Sequence, residues 1–354
     1  MIAAVLDPSL YPHLFLNSHM TGSATPPVRA QTVKTELHFV DRFEADLADY
    51  TGSKYAISVV NGTAALQIAL KLAGVEANHE VLIPALTFVA TANAVTYCNA
   101  IPHFVDSERK TLGIDALKLR EYLQENSSQR SGLCINNITG RVIRALVPMH
   151  TFGHPSDIEG LLSIARDFNL ALVEDAAESL GSFYRGQHTG TVGALGTLSF
   201  NGNKTSPTGG GGAVLAGSSE LAARVKHLTT TAKQAHAYDF VHDELAFNYR
   251  MPNINAALGC AQLEQLAGFL NAKRKLAMAY KAFVATSDWQ FIDEPEGCCS
   301  NFWLNAVQCQ SLSQRDALLN HLHSHGILSR PSWTPMHLLP MYAACMRGAL
   351  PQTE

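Results

Sequence analysis

Apolar positions recur at helical spacing over residues 39–50, Thr51-Gly52-Ser53 interrupts them, and an apolar run then occupies 55–60. The first pattern predicts an amphipathic helix, the interruption a stop and the run a buried strand. The alternation continues along the chain. Residues 64–72 are rich in Ala, Leu and Ile with no breaker and predict a helix, and Glu80-Val81-Leu82-Ile83-Pro84 predicts a short buried strand. Further on, the pattern gives a helix over 88–97, strands over 101–105 and 145–149, a helix over 156–167 and a strand over 171–173. Strands alternating with helices imply a mostly parallel, doubly wound α/β sheet. Residues 193–215 break the rhythm with two strand-like runs around a glycine cluster, which predicts a hairpin or antiparallel edge of the same sheet. A long helix over 255–280 leads to a strand over 303–308 and a helix over 314–325, the beginning of a second α+β unit. Three segments follow: 1–35, proline-containing and irregular; 36–265, a large domain; and 266–354, a smaller C-terminal domain.

The composition narrows the class. With 354 residues, 47% hydrophobic and 16% charged, and a net charge of −4, the chain is an apolar, core-rich globular protein. It shows no basic stripe, so nucleic acid is not an expected partner, and an anionic ligand has to be held by local backbone amides and a few placed side chains. Seven scattered cysteines without a C-x-x-C pair argue against a disulfide framework or a zinc site and fit a reducing cytoplasm. The start lacks a basic segment and a sustained apolar stretch, and no run approaches the roughly 20 apolar residues of a membrane span, so secretion and membrane insertion are not expected.

The candidate chemistry centres on Lys204, which follows the apolar strand ending in Leu198-Ser199-Phe200 and precedes Thr208-Gly209-Gly210-Gly211-Gly212. Upstream, Leu170-Ala171-Leu172-Val173-Glu174-Asp175 is a hydrophobic strand that ends in a carboxylate. A strand-end Asp followed by a Lys is what a pyridoxal phosphate enzyme needs, with an acid for the ring nitrogen and an amine for the aldehyde. Val60-Asn61-Gly62-Thr63-Ala64 puts a glycine, a hydroxyl and free amides at a helix N-terminus, suited to a phosphate or to a simple cap at Thr63. Phe88 opens the next helix and is placed either to lie against a cofactor ring or in the core. Asp175 and Glu178 also have bland roles, as a helix cap and a first-turn carboxylate. His150 and His154 stand four apart, but Gly153 and Pro155 argue against one helix and no third ligand is evident, so a metal is not expected.

From Phe43 to Tyr342 the chain resembles the DegT/DnrJ/EryC1/StrS sugar aminotransferases. The resemblance rests on Gly52-Ser53-Lys54-Tyr55-Ala56, Asn61-Gly62-Thr63-Ala64-Ala65-Leu66, His150-Thr151-Phe152-Gly153, the segment 173–181, and Asn203-Lys204 with the glycine run. Within that family it looks like the LegC and PglE branch, through Glu178, Trp303-Leu304-Asn305-Ala306 and Arg330-Pro331-Ser332-Trp333-Thr334. The resemblance implies fold type I, with a seven-stranded-type, mostly parallel sheet and a C-terminal α+β domain shorter than usual. It implies pyridoxal 5'-phosphate as cofactor, glutamate as amino donor and a nucleotide-linked keto sugar, a 4-keto-6-deoxy sugar on UDP or GDP, as acceptor for surface-glycan synthesis. A degenerate, non-catalytic cofactor-binding homologue is the alternative. Carried over to this sequence, Lys204 would hold the cofactor, Asp175 would face its ring nitrogen, and Phe88 would stack on the ring. Gly62, Thr63, Ala64 and Ser199 would hold the phosphate, and Glu178 would lie near the ring hydroxyl and the substrate. Asn248 would reach the partner's cofactor, making a homodimer with shared sites. Trp303, Trp333 and His337 are expected near the substrate.

Overall fold

The computed structural model describes residues 38–354 in full and Ala3–Leu6 as a strand by its backbone. The large sheet runs Tyr55–Val59, Gly212–Ala216, Leu195–Ser199, Ala171–Asp175, Val142–Leu146, Glu80–Pro84 and Ile101–Val105. The last five of these are mutually parallel, while Gly212–Ala216 is antiparallel to both neighbours. The hairpin expected over 193–215 is present, but it is not the sheet edge, because Tyr55–Val59 pairs outside it. That strand is buried at four of its five positions and packs under helices on both sides, so it takes the outer place.

Strand alternation sends neighbouring side chains to opposite faces. Ile57, Val59, Val81, Ile83 and Val173 enter one core with the helices Gly62–Leu72, Val89–Tyr97 and Ser219–Thr229. On the other face, Ala56 packs with Phe43 and Leu47 of the helix Phe39–Thr51. Leu82 and Leu172 pack there with residues of the helices Ala116–Asn126 and Ile158–Asp167. Each fully buried Leu, Ile, Val or Phe contributes about 1.5–3 kcal/mol to such a core. The strand expected over 145–149 lies earlier, at Val142–Leu146, because Arg144 is tolerated there by donating from Nε to the Ala73 carbonyl at 3.1 Å.

A second, antiparallel sheet has the order Gln290–Phe291, Asn305–Gln308, Ala3–Leu6, Ser329–Pro331. The segment 1–35, read as irregular, therefore supplies a central strand; the rest of that segment lies outside the described residues. Four apolar residues before a proline carry no period, and only pairing with strands some 300 positions away makes them a strand. The helix Asn253–Val284 runs through position 265, where the large domain was expected to end. From residue 336 on the chain returns to the large sheet: Met336, Tyr342 and Leu350 join its core, and Phe104 exchanges backbone hydrogen bonds with Met346 and Gly348.

Beneath the far end of the sheet, the buried Glu80 accepts from Asn136 Nδ2 at 2.7 Å and Thr139 Oγ1 at 2.7 Å, and its Oε2 lies 2.8 Å from His103 Nδ1. Burial alone would raise its pKa, but these bonds outweigh it and hold the carboxyl below its ordinary value. We expect Glu80→Ala, which strands these partners, to lower unfolding free energy by about 2–4 kcal/mol in urea denaturation, with Glu80→Gln costing less. Equal stability of Glu80→Ala and wild type would refute this.

Candidate active site

A cavity of about 280 Å³ opens where the strands Ala171–Asp175 and Leu195–Ser199 end, lined by Gly62, Thr63, Phe88, Asp175, Glu178, Ser199 and Lys204 among others. Ligands sit at the carboxyl ends of the strands in open α/β sheets. The helix Gly62–Leu72 points its N-terminus there, and its cap is Asn61, whose Oδ1 accepts the Ala64 N–H at 2.8 Å. Thr63 is therefore not the cap, and Ala64, expected among the phosphate ligands, is buried with its N–H already taken. Gly62 and Thr63 open the first turn, where N–H groups have no intrahelical partner. A Cβ on Gly62 would lie 2.8 Å from Ser199 Cβ, so only glycine lets the helix end approach that strand so closely.

Asp175 ends its strand and is 5% exposed. Its Oδ2 accepts from Thr91 Oγ1 at 2.8 Å and its Oδ1 from the Ala177 N–H at 3.2 Å. A carboxylate has about four acceptor sites, so capacity remains toward the cavity. No helix follows, and the capping role considered for Asp175 and the first-turn role for Glu178 both lapse. Phe88 immediately precedes the helix Val89–Tyr97 and is 46% exposed on the cavity wall, 6.3 Å from the Trp333 ring; it is not a core residue.

Lys204 follows its strand through a turn closed by its own N–H to the Asn201 carbonyl at 2.9 Å. Its Nζ lies 3.4 Å from Glu178 Oε1 and 4.0 Å from the centroid of the Trp303 ring. Glu178, 2% exposed, accepts from the Phe152 N–H at 2.9 Å on its other oxygen. Phe152 takes a left-handed φ of 56° to aim that N–H. Burial is the main cause that pushes the Glu178 pKa up to about 7, with Asp175 adding to it and Lys204 and the Phe152 N–H opposing.

Of the three residues expected near substrate, Trp303 and Trp333 line the cavity. His337 does not; it is buried with Nε2 3.1 Å from Glu354. Asn248 is exposed and does not line the cavity. His150 and His154 do not converge: His150 lies 3.2 Å from Glu174 and accepts from the Ser156 N–H, while His154 packs edge-on against Phe302. Sequence reasoning missed Thr91, Asn201 and Ser332; Thr91 sits one helical turn beyond Thr87, a pairing whose purpose is visible only once Asp175 lies opposite.

Residues 23–354 match the DegT/DnrJ/EryC1/StrS aminotransferase family. The chain belongs to that family. It is 35% identical over 311 residues to a GDP-perosamine synthase of Escherichia coli O157:H7, covering 88% of this chain and 80% of the relative. To a GDP-perosamine synthase of Caulobacter vibrioides it is 37% identical over 310 residues, 86% of this chain and 79% of the relative. A DegT DnrJ EryC1 StrS aminotransferase from Brucella abortus superposes with a TM-score of 0.80 at 28% identity, covering 88% and 81% of the two chains. This member of the family is thus a pyridoxal phosphate-dependent enzyme of the aminotransferase class. Its cavity fits that cofactor: a helix N-terminus with a glycine-only approach to Ser199 for the phosphate, a buried acid with spare acceptor capacity, an aromatic wall and one amine at 10% side-chain exposure.

The raised pKa of Glu178 has a sign. The stability it gives is fully present below the ordinary carboxyl value of 4.5 and is lost as pH rises through about 7, where a buried charge must form. In the cofactor-free protein, Glu178→Gln should therefore match wild type near pH 4.5 and exceed it above pH 7 by on the order of 1–3 kcal/mol. Thermal denaturation at a series of pH values reads this; a gap that does not widen with pH would refute it.

Proposed function

We propose that this enzyme transfers an amino group from glutamate to a nucleotide-linked 4-keto-6-deoxy sugar, and that the nucleotide is GDP. The observation that carries the reaction class is the convergence of Lys204, Asp175 and Glu178 in one cavity at the strand ends. The two relatives at 35% and 37% identity, both GDP-perosamine synthases, favour GDP over UDP. Placement in the LegC and PglE branch rests on Glu178 and the segments around Trp303 and Trp333 and is part of the proposal. Surface-glycan synthesis in the cytoplasm is its natural setting; among the described residues no helix is long and apolar enough to cross a membrane.

Lys204 Nζ would hold the cofactor and, once released, carry a proton to and from the reacting carbon. The bound cofactor supplies an electron sink for the pair left when that proton departs. Asp175, fixed by Thr91 and the Ala177 N–H, would face its ring nitrogen; Phe88 would cover the ring; Gly62, Thr63 and Ser199 would take the phosphate. Glu178, poised near neutrality beside Lys204, can accept or return a proton at Oε1.

A homodimer with shared sites is supported by Asn248, which faces out of its own protomer, and by the exposed Tyr238, Phe240, Leu245 and Ile254 flanking it in sequence. Two experiments test this reading. Incubation with glutamate and a panel of GDP-, UDP- and dTDP-linked 4-keto-6-deoxy sugars should yield an aminated product by mass spectrometry only, or fastest, with GDP; preference for another nucleotide contradicts it. Refolding Lys204→Ala together with Asn248→Ala, each inactive alone, should recover roughly a quarter of wild-type activity if each site draws on both subunits, since half the dimers are mixed and one of their two sites is intact. No recovery contradicts sharing.

A further inference from the structure

The segment 300–304 enters the site from the side of the small sheet and ties together the two loops that carry the chemistry. Asn301 is 2% exposed, and its Nδ2 donates to the carbonyls of Glu178 and Leu180, both at 2.9 Å, and reaches Thr205 Oγ1 at 3.4 Å. Its Oδ1 accepts the Trp303 N–H at 2.8 Å. The arrangement requires Gly153, at a left-handed φ of 95°, where a Cβ would fall 1.8 Å from Asn301 Oδ1. Trp303 then donates its indole N–H to the Asn203 carbonyl at 2.7 Å and lays its ring face 4.0 Å from Lys204 Nζ. Trp303 is itself 5% exposed, and Lys273 Nζ holds its carbonyl at 3.1 Å.

We propose that Trp303 is a positioning residue for Lys204, its ring being the resting place of the lysine amine whenever that amine is not joined to the cofactor. The inference rests on the reading of Lys204 as the cofactor lysine. A cation is drawn to the negative face of an indole, most strongly where water is excluded. The ring and Glu178 together hold a long, flexible side chain at one place, with its nitrogen already inside the cavity. The indole N–H also links the ring to the Asn203 carbonyl, but it is the ring face alone that meets the amine. A free lysine without that support would sample other rotamers and leave the reacting geometry.

The test compares wild type, Trp303→Phe, which keeps a ring face, and Trp303→Leu, which keeps only bulk. The full chain freed of cofactor is treated briefly with acetic anhydride, and acetylation of Lys204 is read by peptide mass spectrometry against the exposed Lys54. Loss of the covering, attracting face in Trp303→Leu should speed Lys204 labelling by roughly threefold or more, while Trp303→Phe stays within about twofold of wild type. In the loaded enzyme Trp303→Leu should lower kcat by roughly 10- to 100-fold and leave KM for glutamate little changed. Equal Lys204 labelling in all three folded proteins overturns the proposal, as does a Phe variant that labels like Leu. If Trp303→Leu does not fold, Trp303→Gln takes its place with the same outcomes. Borohydride fixation of pyridoxal phosphate on wild type, followed by peptide mapping, separates the two ideas. Cofactor on another lysine defeats the reading of Lys204, whereas cofactor on Lys204 with unchanged labelling defeats only the role of Trp303.

Discussion

Two adjacent carboxylates at the end of one central strand, Glu174 and Asp175, impose the constraint around which this molecule is arranged. Strand geometry points them to opposite faces, and neither can stay buried and ionised without partners. Glu174, fully buried, accepts the N–H groups of Gly190, Val192 and Gly193 and sits against His150, which pins the loop leading into the strand Leu195–Ser199. Those bonds outweigh the burial that would otherwise raise its pKa and hold it below the ordinary carboxyl value. Asp175 turns the other way and is held by Thr91 from the neighbouring helix. One strand thus fixes the loop before the lysine-bearing strand and presents an acid to the cavity.

The electrostatics of the site follow from how unequally its carboxylates are satisfied. Asp175 keeps two hydrogen bonds from hydroxyl and amide, whereas Glu178, itself almost closed to water, has one amide and a lysine 3.4 Å away. Burial wins at Glu178 and brings its pKa near neutrality, the range in which a proton can be taken or given at little cost. Two acids three residues apart thus stand in different surroundings, one held by a hydroxyl and an amide, the other by an amide and a lysine amine.

The large sheet was legible because its strands are short apolar runs alternating with breaker-free helical segments, and the strand-end Asp and loop Lys stood out by position. Elements whose own residues carry no apolar period were not legible. Ala3–Leu6 has no local signal, and the hairpin Ser127–Arg130 with Leu133–Asn136 is mostly polar and forms because Leu133–Asn136 joins the strand Val142–Leu146. The helix Ser219–Thr229 carried a cap, Ser218, that sequence reasoning passed over. At the site, Ala64 was expected to hold the phosphate from its place in a motif, yet Asn61, three residues before it, already uses its N–H. Asn301 had no legible signal at all, since its value lies in three acceptors that converge only in the folded chain.

The claim on which the account stands is that Lys204 holds the cofactor and that the assembled site performs the amino-donor half of the reaction. The most direct measurement is the visible absorbance of the purified protein with pyridoxal phosphate, wild type against Lys204→Ala, before and after glutamate. A band that requires Lys204 and that glutamate bleaches is the expected result. A band that survives in Lys204→Ala, or one in wild type that glutamate leaves unchanged, would contradict it.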